Sequence, residues 1–439
     1  MTLLRGVDLH GDRVDIRIDG GRITEVGRLT RRPGEESSDR GTVRPGFVDD
    51  HLHLHALAAA VASLDCGRTR DLAAALRMAM VDRGGWVRGI GYPGDDLDAA
   101  ALDRLHGSRP VRIQHRSGAL WMVNSLGVAA LGLDHADHPG IERDFSGAPT
   151  GRIWRADDWL RTRTLAEIPD LGDVGRRLAG YGITAVTDAT PDLDPATYGS
   201  FLTLPQRVTL LGVPLGDSAP APLVTGPYKI VLADSSLPSL PELTDRIRAA
   251  RAAGRSVAVH CVTHEALLLL LAALDECGPP GPGDRIEHAA LVPADVVGEL
   301  ARRGLTVVTQ PGFIADRGDE YLRETDDPDD LYRVSSLIKA GVKVRLSSDA
   351  PYGPLDPREV IDAARHRRTR GGRIAGRNER ITRRQALHAY LGPALRPGSR
   401  ADLVLLDEAG SVKDVFIVGQ RTPLRLAPRA RTTVPYRPQ

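Results

Sequence analysis

The stretch that decides the fold is PGFVDDHLHLH, residues 45–55. Phe47–His53 reads as a strand whose end carries His51 and His53. Side chains alternate faces along a strand, so these two imidazoles point the same way. Two histidines on one face at a strand's C-terminal end can both reach one metal ion. Working outward, seven more runs have strand character: Ile183–Asp188, Arg207–Leu211, Tyr228–Ala233, Val257–Cys261, Arg285–His288, Thr306–Gln310 and Lys343–Asp349. Helical stretches lie between most of them. Pro241–Ala253 has Pro at its start and Gly254 at its end, and His264–Glu276 has Gly278 just beyond. Eight strand–helix units predict an α/β chain folded as a (β/α)8 TIM barrel, with a layered α/β sheet as the alternative. The count reaches eight only if Gly84–Asp170 is set aside as an insertion after the first barrel strand. That segment has its own strands, Trp86–Gly91 and Val111–His115, and a helix around Asn124–Leu131.

The two ends read differently. Val14–Ile18 alternates apolar and polar residues, Gly20-Gly21 is a turn, and Arg22–Val26 is a second strand. Leu29–Arg40 is charged and loop-like. Asp402–Asp407 and Val412–Val418 repeat the strand pattern near the other end. The expected organisation is a small composite sheet domain from residues 1–45 and 392–439, around a barrel over 46–391 that carries the insertion 84–170.

The chain has 439 residues, with 58 basic and 57 acidic side chains and a formal net charge of +1. Such totals give no bulk attraction to nucleic acid or to an anionic membrane. Only four of the basic residues are lysines: Lys229, Lys339, Lys343 and Lys413. Hydrophobic residues make up 41%, enough for a sizeable core. The three cysteines have no CxxC spacing, which argues against a disulfide framework or a Cys-rich zinc site. The apolar-rich runs Ala56–Leu64 and Ala266–Leu274 are too short to span a bilayer, and the N-terminus lacks a signal-peptide pattern. A cytoplasmic protein acting on a small molecule is expected, with a homodimer as the default assembly.

Three more residues of metal-binding type end predicted barrel strands: His260 in SVAVH, His288 in RIEH and Asp349 in VRLSSD. Any one of them alone is better explained as a polar strand end, and an isolated HxH as a solvated loop. Together with His51 and His53 they converge on the end of a barrel where active sites are built. Lys229 sits inside the apolar run GPYKIVLAD. A buried ammonium is costly and repels a neighbouring dication, whereas a lysine that has taken up carbon dioxide is an anionic carbamate able to bridge two metals. A lysine that snorkels outward is the equal alternative.

PGFVDxHxH, YKIVLAD, the VH at 259–260, RIEHA at 285–289, SSDAP and the closing RPGSRADLVLLD resemble the metal-dependent amidohydrolase superfamily. The similarity is greatest to the amidohydrolase-3 branch, which includes N-substituted formamide deformylases. These motifs lie in the family's order over nearly the whole chain. The resemblance implies a metal-bearing barrel with a β-sandwich from both chain ends. It implies His51, His53, His260 and His288 as ligands, Asp349 as ligand and proton shuttle, and Lys229 as the carbamylated bridge. Two departures stand out: Ala119 occupies the place of a branch histidine, and His264 that of an aspartate.

The expected reaction is hydrolysis of a carbon–nitrogen bond other than a peptide bond, in an amide, N-substituted formamide or cyclic amide. Metal-activated hydroxide would attack, with Asp349 moving the proton and His264 stabilising the oxyanion. One or two divalent ions are expected, zinc first, with iron or manganese as alternatives. Asp188, Gln310, His115, Trp121 and Tyr352 are the candidate substrate contacts. Two other functions compete: a mononuclear deaminase of an aminated heterocycle, favoured by an unmodified Lys229 pointing away, and a non-catalytic metal-binding barrel. GIGYPG (89–94) matches GxGxxG, but acidic residues follow it instead of a helix start. The Arg-rich run 365–377 lacks the interleaved aromatics of a nucleic-acid surface and reads as a solvated helix and loop.

Overall fold

The computed structural model describes residues 1–424 apart from 68, 83, 117, 165–169, 235 and 409. Residues 425–439 of the expected sandwich, the end of the expected insertion at 165–169, and Ser117 of the motif holding Ala119 lie outside the described residues. The chain divides into two compact units, Met1–Leu54 with Asp170–Gln439, and His55–Pro169.

Each strand run expected in the middle of the first unit forms a strand. They are β1 (Phe47–Leu52), β2 (Ile183–Asp188), β3 (Arg207–Leu210), β4 (Tyr228–Val231), β5 (Val257–Cys261), β6 (Arg285–His288), β7 (Thr306–Thr309) and β8 (Lys343–Leu346). All their pairings are parallel: β1–β2–β3 in one sheet, with Val224–Thr225 beside β3, and β4 to β8 in sequence order in another. Backbone bonds continue past both sheets. Lys229 N donates to Leu211 O at 3.2 Å, Asp349 N to His51 O at 2.9 Å, and His53 N to Ala350 O at 2.9 Å. The composition explains the pairing. All six residues of β2 and four of the five in β5 are buried, as in parallel strands covered on both faces.

Helix α1 (Leu240–Ala252) starts at a capping box in which Ser239 and Glu242 satisfy each other's backbone N–H groups. Helix α2 (His264–Cys277) is capped by Thr263. Leu243 and Ile247 of α1 and Leu267, Leu270 and Leu274 of α2 pack on Val257 and Val259 of β5 in the largest core. Burying each such side chain contributes roughly 1.5–3 kcal/mol.

Both chain ends share one eight-stranded sheet, in the order 420–422, 412–417, 403–406, 42–45, 2–9, 12–19, 22–27. The expected loop Leu29–Arg40 contains its eighth strand, Glu36–Asp39, which pairs in parallel with Thr2–Leu9. Its uniformly polar Glu-Ser-Ser-Asp sequence hides the strand from a pattern based on apolar residues. Leu4, Ile16 and Ile23 share a core with Leu403, Leu405 and Phe416.

The second unit has its own six-stranded mixed sheet, including Val87–Tyr92, Val111–His115 and Leu120–Val123. Asn124 caps the helix Ser125–Leu131. The unit begins at His55, well before Gly84, because the segment from Leu64 already pairs with Val87–Tyr92. Among the described residues, no helix is long and apolar enough to cross a membrane.

Candidate active site

The C-terminal ends of β1 and β6 and the turn after β8 bring His51, His288 and Asp349 together. Each offers one donor atom, and these atoms lie within 4.8 Å of one another. His51 Nε2 is 3.6 Å and His53 Nε2 3.3 Å from Asp349 Oδ1, and His288 Nδ1 is 3.8 Å from Asp349 Oδ2. The rings of His51 and His288 are 4.6 Å apart, and those of His260 and His288 4.4 Å apart. His288 and Asp349 both have left-handed backbones, with φ of 69° and 54°. Non-glycine residues adopt that conformation at a cost of about 1–3 kcal/mol, and such strain concentrates at functional sites.

Two carboxylates next to the first histidine tie β1 to the end of β8. Asp49 Oδ1 accepts Ser348 N at 3.1 Å, and its Oδ2 accepts the Tyr390 hydroxyl at 3.2 Å. Burial pushes the Asp49 carboxyl up to about 7. Asp50 pairs with Arg345 Nε at 2.6 Å.

Burial keeps the imidazoles of His51, His260 and His288 neutral. It holds His51 and His288 well below the usual histidine range, and moves His260 down to about 4, with the Lys229 charge acting the same way on all three. Lys229 is itself buried and lowered by that burial, while Glu287 and Asp349 oppose the shift. A neutral imidazole is the form that ligates a metal.

These residues fit a cation. His51 Nε2 and Asp349 Oδ1 are both buried, and neither has a hydrogen-bond partner among the described residues. Two donors sharing a tetrahedral ion at bonds of ~2.1 Å stand about 3.4 Å apart. The separations of 3.3 and 3.6 Å at Asp349 Oδ1 bracket that value. Imidazole nitrogen with carboxylate oxygen is a donor set for zinc-like divalent ions.

The remaining candidates divide by what they touch. Gln310 is fully buried, its Oε1 2.9 Å from His288 Nδ1 while its Nε2 donates to Ser347 Oγ. Asp188 accepts the backbone N–H of Leu54 at 2.7 Å and of Thr190 at 3.1 Å, so both its oxygens hold the turns after β1 and β2. Tyr352 is 53% exposed, with its ring 5.5 Å from that of His53. His264 is half-buried at the first position of α2. His115 and Trp121 belong to the second unit; Trp121 is buried in its core, with the Arg88 guanidinium 5.4 Å from its ring.

Sequence reasoning passed over Glu287, although it stands inside the quoted RIEH. It is fully buried, its Oε2 meets His51 Nδ1, and its Oε1 pairs with Arg285 Nε at 2.5 Å. A carboxylate within a buried strand needs a cationic or N–H partner. Arg285, two residues away and so on the same face, was the available signal.

The sequence pattern of the Amidohydrolase family matches residues 40–434. An N-substituted formamide deformylase of Arthrobacter pascens is 26% identical over 490 aligned positions, covering 89% of this chain and 89% of that protein. A putative amidohydrolase, YtcJ, of Bacillus subtilis (strain 168) is 26% identical over 437 positions, covering 81% and 80%. The crystal structure of an uncharacterized metal-dependent hydrolase from Pyrococcus horikoshii OT3 superposes with a TM-score of 0.77 at 20% identity, over 93% of this chain and 97% of that one. With the pattern spanning most of its length and the metal-type residues gathered at one place, the chain belongs to the amidohydrolase family of hydrolases.

Proposed function

We propose that the protein is a metal-dependent enzyme that hydrolyses a carbon–nitrogen bond in an amide, N-substituted formamide or cyclic amide. The observation that carries this is the convergence of buried His51, His288 and Asp349, in which His51 Nε2 and Asp349 Oδ1 have no hydrogen-bond partner among the described residues. The similarity to a formamide deformylase supports the substrate class. In this reading the eight parallel strands close into a (β/α)8 barrel. The bonds from Lys229 to Leu211 and from Asp349 to His51, with the Asp49 and Asp50 ties, support closure at both seams. The shared core of the two chain ends supports a composite sandwich. The domains then follow as 1–45 with 392–439, and 46–391 interrupted by the insertion.

His51, His53, His260, His288 and Asp349 would hold the ion, with Lys229 joining as a carbamate if two ions bind. A bound divalent ion, zinc in the first instance, would lower the pKa of water toward ~7 and polarise the scissile carbonyl. The chain's own groups do the rest. Asp349, whose Oδ1 has no hydrogen-bond partner among the described residues, takes the water proton and passes it to the leaving nitrogen. His264, at the mouth end of β5, donates to the oxyanion. Tyr352, exposed beside His53, contacts the substrate.

The test is metal content together with product release. Purified protein should carry about one or two divalent ions and release formate plus amine from N-substituted formamides. Metal-loaded protein inert toward formamides, amides and cyclic amides would overturn the reaction. Ammonia release from an aminated heterocycle would replace it with deamination.

A further inference from the structure

We propose that Glu287, Gln310 and Thr190 are positioning residues, each gripping one ligand histidine by Nδ1 and together grading how strongly the three imidazoles bind the cation. The inference rests on the metal reading above. It starts from a pattern repeated three times with three different chemistries. His51 Nδ1 meets the carboxylate of Glu287, His288 Nδ1 meets the amide oxygen of Gln310 at 2.9 Å, and His53 Nδ1 meets the hydroxyl of Thr190 at 3.3 Å. In each case Nδ1 is engaged, and for His51 and His53 it is Nε2 that faces Asp349 Oδ1.

The anchors differ in how firmly they choose the tautomer. A carboxylate only accepts, so it holds the proton on His51 Nδ1 and leaves a lone pair on Nε2. That Nε2 has no hydrogen-bond partner among the described residues. Gln310 is nearly as decisive, because its Nε2 is committed to Ser347 Oγ at 2.9 Å, which turns its Oε1 toward His288. Thr190 can donate or accept, and its contact is the longest, so it constrains His53 least.

They differ in charge as well. Glu287 is the only anion of the three, and a hydrogen bond to an anion raises the basicity of the imidazole behind it. The carboxylate is stabilised in turn by Arg285 Nε at 2.5 Å, and Arg285 Nη2 donates to Asp50 O at 3.0 Å. The chain Asp50–Arg285–Glu287–His51 thus links β1 back to itself through β6. His51 should be the strongest of the three ligands and His53 the weakest.

The experiment measures zinc affinity of the purified full-length protein by competition with a chromophoric chelator, and the absorption of the cobalt(II)-substituted form. Thermal melting of each metal-free variant shows that it is folded. Loss of such a partner typically weakens metal binding about 10- to 100-fold. Glu287→Leu should lie near the upper figure and Gln310→Leu near ~10-fold, with Thr190→Val below ~10-fold. Glu287→Gln keeps an acceptor for Nδ1 and should recover part of the loss, with an altered cobalt spectrum. If Glu287→Leu does not fold, the order Glu287→Gln below wild type and Gln310→Leu below Thr190→Val carries the test. Folded variants that bind zinc as tightly as wild type would overturn the proposal. Wild-type protein that binds neither zinc nor cobalt would instead remove the metal reading on which it rests.

Discussion

Asp49→Ala should loosen the seam between β1 and β8 measurably. The carboxylate receives Ser348 N–H and the Tyr390 hydroxyl, and Ser348 and Tyr390 are themselves fully buried. Alanine leaves these two donors, and the more distant His51 N–H at 3.4 Å, without that partner in the dry interior. An orphaned buried polar group costs about 1–3 kcal/mol, so the pair should cost about 2–6 kcal/mol. Asp49→Asn is a different perturbation. Its amide oxygen can take the Ser348 N–H, and its amide nitrogen can donate to Tyr390 Oη, so the loss should stay near ~1 kcal/mol. Urea unfolding followed by circular dichroism is the assay. With a slope of about 3 kcal/mol per molar, Asp49→Ala should lower the midpoint by about 0.7–2 M, and Asp49→Asn by a few tenths. Adding Tyr390→Phe to Asp49→Ala removes one orphan and should restore part of the midpoint. An Asp49→Ala midpoint equal to wild type, or equal losses for Ala and Asn, would refute the assignment of these bonds as the seam's support.

The other predictions concern the site and one helix. His51→Ala and Asp349→Asn should each abolish turnover, and His51→Ala should also lower bound metal by elemental analysis; full occupancy and activity in His51→Ala would contradict the ligand set. If Lys229 forms a carbamate, its neutral amine bonds to carbon dioxide with release of one proton. Metal-stripped protein should then regain activity faster with bicarbonate, and an identical rate without it would remove that role. Ser239→Ala breaks the capping box of α1 and should cost about 1 kcal/mol in urea unfolding with kcat unchanged. A fall in kcat there would mean that α1 is coupled to the site.

Much of this was written in local pattern. The β2 run Ile-Thr-Ala-Val-Thr-Asp has the β-branched composition of a strand, and Pro241 and Gly254 bracket a helix. Strand ends are legible as well, so His51, His53, His260, His288 and Asp349 could be picked out one by one as polar residues closing apolar runs. Period-two reasoning failed where polarity carried no contrast, as in Glu36–Asp39, whose pairing with Thr2–Leu9 comes from neighbours far away in the chain. Counting strands to eight did not place the start of the second unit, because the pairing of Leu64–Asp65 with Val87–Tyr92 is a contact, not a composition.

The sequence by itself determined the run of strands and helices and the types of side chain at the strand ends, because both depend on residues a few positions apart. Only the tertiary structure decided which atoms meet. Glu287 behind His51, Gln310 behind His288 and Asp188 on the Leu54 N–H are pairings across 236, 22 and 134 positions. No local rule spans such distances. They arise because parallel strands place residues remote in sequence at the same level of the sheet, where burial obliges every polar group to find a partner.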